Sequence, residues 1–241
     1  MTFLQIDLEE IFLTLQKNLD RSEPDLYQLL AQARLGGEVL GRRERHKLDK
    51  LERISNATHL LFSREGYERT TLREIAKEAD VALGTLSLYA RDKRDLVLLI
   101  FNRVIPPLIE QGRTNSRRPR TLTNKMVAFF EPFYQAYAKE TPLYRIVLGQ
   151  LLSGTESVHA RENDAIRTEM IAYLAKMIGG LAPDSSNELS GHLTLQARSF
   201  YYLYFASVRV WLSQDNPVPD QGLRDLRDLF ALHISGIPNA S

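Results

Sequence analysis

Apolar residues recur along this chain at intervals of three and four, the spacing of one helix face. No run alternates apolar with polar residues between turn signals. The pattern therefore predicts helices throughout and no sheet. Leu4, Leu8, Ile11, Leu15 and Leu19 form the first stripe. The segment "DRSEPD" (20–25) ends it, because Pro24 donates no backbone hydrogen bond and restricts the residue before it. A second short helix, "LYQLLAQARL", stops at Gly36-Gly37. From about Leu48 a longer helix runs to Glu65, with Leu51, Ile54, Ala57, Leu61 and Phe62 on one face and Gly66 placed to end it. Thr71 and Glu74 have the spacing of a capping box, so a helix carrying Leu72, Ile75, Ala76 and Ala79 starts there. A tight turn at Asp80-Val81 leads into "LGTLSLYA", and Asp92 is placed to cap a helix that begins near Arg94.

Leu96, Leu99, Ile100 and Val104 stripe that helix as far as Pro106-Pro107, where two missing backbone donors predict a kink or a restart. "RTNSRRPRT" (113–121) is polar and is expected to be a loop. Further helices are expected at roughly 122–139, 142–152, 157–179, 187–214 and 220–236, separated by proline-, glycine- and serine-containing breaks. Leu189, Leu193, Phe200, Leu203, Tyr204 and Trp211 stripe the fourth of these. Leu223, Leu226, Phe230 and Ile234 stripe the last.

At 241 residues and 44% hydrophobic content the chain can bury a sizeable core. It has no cysteine, which excludes disulfides, a thiolate nucleophile and cysteine-ligated zinc and fits a reducing compartment. "MTFLQIDLEEIF" lacks the positive leader of a signal peptide, and no stretch reaches the ~18 apolar residues of a membrane span. A soluble, cytoplasmic protein with no membrane partner is expected. None of the Gly-x-Ser-x-Gly, Gly-x-Gly-x-x-Gly, Walker-type or His-Glu-x-x-His patterns occurs, so no catalytic residue, metal or cofactor is expected. His159 and Glu162, three apart on a helix, are expected to form a surface pair.

The net charge of +1 is unevenly spread. Residues 1–41 hold three basic residues against seven acids, and residues 42–95 hold thirteen against ten. "RRERHK" (42–47) and "RDKR" (91–94) concentrate the positive charge, as a nucleic-acid surface or a solvated face would. Three helices with a very short turn between the second and third make a helix-turn-helix, whose third helix can lie in the major groove. Ala76, Ala79 and Gly84 supply the small residues that close approach requires. Thr71, Thr85, Tyr89 and Lys93 are placed to hold phosphates, with Thr71 at a helix start where free N–H groups favour anions.

"FSREGYERTTLREIAKEADVALGTLSLYARDKRDLV" resembles the DNA-binding domain of the TetR/AcrR family of transcriptional regulators. The match lies in Phe62, Gly66, Tyr67, Thr70, Thr71, Ile75, Ala76, Ala79, Val81, Gly84, Thr85, Leu86, Tyr89, Lys93 and Leu96, in register. There are departures. Asp80 stands where the family usually has glycine, a left-handed position that Asp tolerates. Ala82 replaces a capping Ser or Thr, a loss of about 1 kcal/mol. Leu83 stands at an often polar, DNA-facing position, Ser87 replaces a phosphate-touching aromatic, and Ala90 a packing aromatic.

The resemblance implies an all-α protein: an N-terminal three-helix DNA-binding domain with a helix-turn-helix (42–95), a C-terminal helical dimerisation and effector-binding domain (96–241), and an extra N-terminal helical extension (1–41). It implies a ligand-responsive repressor acting as a homodimer on a palindromic operator in double-stranded DNA, with half-sites about 34–36 Å apart. DNA contacts are expected from Arg42, Arg43, Arg45, Thr71, Leu83, Gly84, Thr85, Ser87, Leu88, Tyr89 and Lys93. A small-molecule effector is expected among Phe129, Phe133, Tyr137, Tyr144, Tyr173, Tyr201 and Tyr204, since tyrosines offer apolar walls with polar tips. Arg198 and Arg209 interrupt an apolar helix and suit an internal ion pair, an interface or an acidic effector. The last two helices are expected to pair with their symmetry mates through Phe200, Tyr204, Trp211, Leu226, Phe230 and Ile234. The extension, acidic and striped, is expected to dock on the body or on the partner subunit rather than on DNA. The alternative is a helical adaptor that has lost specific DNA binding.

Overall fold

The computed structural model describes residues 41–151, 157–180 and 187–236; the helices expected before residue 41 lie outside them. Among the described residues there are nine helices and no strand. They are α1 (Arg42–Glu65), α2 (Leu72–Glu78), α3 (Leu83–Leu86), α4 (Lys93–Asn115), α5 (Leu122–Lys139), α6 (Thr141–Gln150), α7 (Val158–Gly179), α8 (Asn187–Leu212) and α9 (Pro219–Ser235).

α1 starts six residues before Leu48, the expected start, because "RRERHK" consists mostly of straight-chain side chains that lose little freedom in a helix. Gly66, at φ 83°, stops it, and its N–H closes back on the Phe62 carbonyl. The capping box forms at α2: Glu74 N–H donates to Thr71 Oγ1, and the Thr71 N–H donates to Glu74 Oε2 at 2.8 Å. Asp80 takes the left-handed conformation at φ 52°, and Arg53 Nη1 binds its carbonyl and its carboxylate at 3.3 and 3.2 Å. Ala82 gives α3 no side-chain cap, and α3 is a single turn. Asp92 caps α4 by accepting from Asp95 N–H at 2.8 Å.

α4 runs unbroken through Pro106 and Pro107 to Asn115, where a kink or restart and then a loop were expected. Ile105 and Ile109 are buried on either side of the prolines, so packing outweighs two lost backbone bonds. Arg113, in the last turn, is held by Glu110 at 2.6 Å and by Glu169 of α7 at 2.8 Å.

α1 to α3 fold around Leu51, Ile54, Ile75, Leu86 and the first turns of α4. α4 then leaves this module and packs on α5 and α7, α7 on α8, and α9 on α5 and α8. α5 is the centre: Phe129, Phe130, Phe133, Tyr134 and Tyr137 are fully buried. Each such ring contributes on the order of 1.5–3 kcal/mol before ordering costs. Phe130 stacks on Tyr204 with centroids 3.9 Å apart, and Tyr134 lies 4.8 Å from Trp211. A Cβ on Gly222 would stand 2.8 Å from the Trp211 ring, so only glycine lets α9 sit this close.

This packing corrects the expected dimer residues. Phe200, Tyr204, Trp211, Leu226 and Phe230 are buried inside the chain itself, and Ile234 is half-buried against the same core. Both stripes are used to join α8 and α9 to α5. The apolar side chains those helices leave exposed are others: Leu195, Tyr202 and Val210 on α8, Leu229 and Leu232 on α9.

Candidate DNA-binding face and effector core

The outer side of Ala82–Ala90 is defined by what its inner side buries. Leu86 and Ala90 enter the module core, leaving Leu83, Gly84, Ser87 and Leu88 exposed on the opposite face. Thr85 and Tyr89 are half-buried at its margins. A Cβ on Gly84 would meet nothing within 4 Å. Nothing inside the chain requires glycine there, and glycine in a helix costs up to about 1 kcal/mol relative to alanine. Ser87 donates its hydroxyl proton to the Leu83 carbonyl at 3.1 Å.

Two of the expected phosphate contacts are occupied internally. The Thr71 hydroxyl lies 2.8 Å from Glu74 Oε2, so a carboxylate already sits at the start of α2. The two hydrogen bonds from Thr71 hold the Glu74 carboxyl below its usual range. Lys93 Nζ donates to the carbonyls of Tyr67 at 2.7 Å and Glu68 at 3.3 Å, and lies 4.5 Å above the Tyr67 ring. It ties the α1–α2 turn to the start of α4 and keeps one N–H for an outside partner. Arg42, Arg43 and Arg45 are exposed on the first turn of α1, part of the helix rather than a loose arm.

The expected surface pair of His159 and Glu162 is instead buried, because α7 packs that face on α4 and the module. His159 Nε2 binds the Tyr89 carbonyl at 2.7 Å, so Nε2 carries the proton. Asn102 of α4 donates to the His159 carbonyl at 2.8 Å and to Glu162 Oε2 at 3.1 Å, and accepts from Asn163 at 3.1 Å. A second tie joins His59 of α1 to Glu140, at the start of α6, at 2.6 Å. The recognition segment is thus bonded directly to the helical body.

Of the seven aromatics expected around an effector, Phe133, Tyr137, Tyr201 and Tyr204 line one crevice between α4, α5, α7 and α8. Its volume is about 20 Å³, less than one small molecule requires. Phe129 and Tyr173 pack together away from it with their ring planes tilted, Tyr173 OH lies 2.9 Å from Ser116 Oγ, and Tyr144 packs behind Tyr137. Phe101, Ile105, Met170 and Arg167 also line it. Phe101 and Ile105 fall outside the Leu96–Val104 stripe but on a second run of α4 with Val97 and Ile109 at four-residue spacing, which a search for two stripes would have found. Burial pushes the Tyr201 hydroxyl up to about 12 and the Tyr137 and Tyr204 hydroxyls well above their usual value, so all three stay protonated. Arg209 bonds the Leu148 carbonyl and Arg198 reaches the Tyr202 hydroxyl at 3.4 Å.

Residues 54–100 match the family described as bacterial regulatory proteins, tetR family. Over 198 residues the chain is 23% identical to the fatty acid metabolism regulator protein of Bacillus subtilis, covering 81% of this chain and 99% of that one. Residues 54–100 form a tetR-family DNA-binding module. The chain is a DNA-binding transcriptional regulator rather than an enzyme. Other curated regulators match this chain over 58 to 75 residues, about a third of their own length. Two solved structures share its fold. FadR of Thermus thermophilus, in complex with lauroyl-CoA, is 23% identical with a TM-score of 0.61, over 79% of this chain and 96% of that one. FadR of Bacillus subtilis, in complex with stearoyl-CoA, is 19% identical with a TM-score of 0.57, over 77% and 98%. No helix of this regulator, among the described residues, is long and apolar enough to cross a membrane.

Proposed function

We propose that this regulator is a homodimeric repressor released from a palindromic operator by a long-chain acyl-CoA. The observation that carries the reading is that one set of helices does two things. α4 and α7 wall the aromatic crevice, and through Asn102 and His159 the same two helices hold the carbonyl of Tyr89 at the end of the recognition segment. An acyl chain entering between Phe133, Tyr201 and Tyr204 must part α4, α7 and α8, since the crevice holds only about 20 Å³. Moving α7 moves His159, and so the recognition segment. Such a ligand weakens DNA binding only as far as it prefers the parted form. The acyl-CoA bound by each FadR neighbour gives the ligand class. Arg167, on the crevice lining and paired with Asp164 at 2.8 Å, is a cation within reach of the anionic end.

On the DNA side, Leu83, Gly84, Ser87 and Leu88 face the major groove, with Thr85 and Tyr89 at its edge and Arg42, Arg43 and Arg45 toward phosphates. Lys93 and Thr71 act chiefly as braces of the module. The dimer forms through the outer faces of α8 and α9, where Val210 and Leu232 are 67% and 72% exposed. The reading is tested by titrating lauroyl- and stearoyl-CoA into the protein bound to a labelled duplex from upstream of its own gene. Release of DNA at saturating ligand is expected. Acyl-CoA binding without release would remove the coupling, and no binding would remove the ligand class.

A further inference from the structure

From Val81 to Ala90 the sequence is "VALGTLSLYA", without one charged, amide or imidazole side chain. Guanine edges are read in the major groove by bidentate Arg or Lys, and adenine edges by Asn or Gln. This segment has neither. Its hydroxyls are poorly placed to substitute: Ser87 donates its proton to the Leu83 carbonyl, and Thr85 and Tyr89 are half-buried. Two leucines stand out instead. Leu88 is 76% exposed, the most of any large apolar side chain described, and Leu83 is 40% exposed. Both stand clear of the side that Leu86 and Ala90 bury, and at Gly84 the backbone carries no side chain to hold a partner off. The surrounding module, residues 42–95, carries thirteen basic against ten acidic residues, and α2, packed alongside, exposes Arg73 and Lys77. Exposed apolar side chains on a cationic module suit one feature of duplex DNA, the C5-methyl group of thymine on the major-groove floor.

We propose that Leu83 and Leu88 read thymine methyl groups, so that each operator half-site presents thymines opposite them and is selected by van der Waals contact rather than by bidentate hydrogen bonds. This rests on the DNA-binding reading of the module. The full chain is used to select duplexes from a random-sequence pool, and the bound sites are aligned. Thymines at fixed positions in both half-sites are expected. Replacing them by uracil removes only the methyl and should weaken binding about fourfold for each methyl lost. In Leu88→Ala the penalty for uracil at one of those positions should vanish, and in Leu83→Ala at the other. Both side chains are exposed, so both variants should keep the melting curve of the parent. Guanines at the selected positions, or equal affinity for thymine and uracil duplexes, would overturn the leucine readout and leave DNA binding standing. Enrichment of no duplex would overturn both.

Discussion

Gly84 shows how a single residue separates folding from function. Its backbone is ordinary helix and its missing side chain leaves open space. Gly84→Ala should therefore raise stability by up to about 1 kcal/mol in thermal melts. It should weaken operator binding in a shift assay, because the added methyl faces the groove. Asp80 is the reverse case. Its left-handed backbone is tolerated by Asp better than by most residues, and Asp80→Ala should cost about 1 kcal/mol, read from a denaturant midpoint. Glu74 brings a pH dependence. Hydrogen bonds from Thr71 lower its folded pKa below the value of 4.5 that an unperturbed Glu has. The cap's contribution is thus complete above the unfolded value and fades as pH falls through the folded one. Melting temperatures followed downward from pH 5 should fall less steeply in Glu74→Gln. The capping box and the left-handed Asp80 were legible in the sequence because each is a local event within four residues. The binding of Lys93 Nζ to the Tyr67 carbonyl, across 26 residues, has no local signature and could not be read there.

At the scale of elements, hydrophobic period located α4 to α9 to within a few residues but did not say which neighbour each stripe meets. α8 is the clearest instance. Phe200, Tyr204, Val208 and Trp211 form an inner stripe, while Leu195, Tyr202 and Val210 form a second on the outside. A helix apolar on two sides carries no direction in its sequence, and the stripe with the larger rings turned inward because α5 offered rings to meet it. The prolines of α4 misled for a related reason: their cost is local and legible, while the packing of Ile105 and Ile109 that offsets it is not. His159 links α7 to the recognition segment. His159→Phe keeps the ring's bulk and removes its bond to Tyr89. Acyl-CoA should still bind this variant in calorimetry, and the change in DNA affinity on saturation should shrink at least threefold.

For the whole molecule, the proposed dimer can be tested without damaging the fold, because α8 and α9 bury one face and expose another. Val210→Glu and Leu232→Glu place charges on the outer faces and leave the inner stripes intact. Light scattering should then report a folded monomer with unchanged helicity, and specific DNA affinity should fall at least tenfold, since two half-sites are no longer read together. Truncating α9 would be a poorer test, because Leu226 and Phe230 fill the core. The contact of Trp211 with Tyr134 has a practical consequence of a different kind. Trp211 is the chain's single tryptophan, and its Nε1 donates to the Val218 carbonyl at 2.9 Å, where α5, α8 and the start of α9 converge. The protein therefore carries a native fluorophore at the junction on which its body depends. Its emission needs no added dye and comes from one defined position, so a stopped-flow trace at that wavelength can time the loosening of the helical body separately from the departure of DNA.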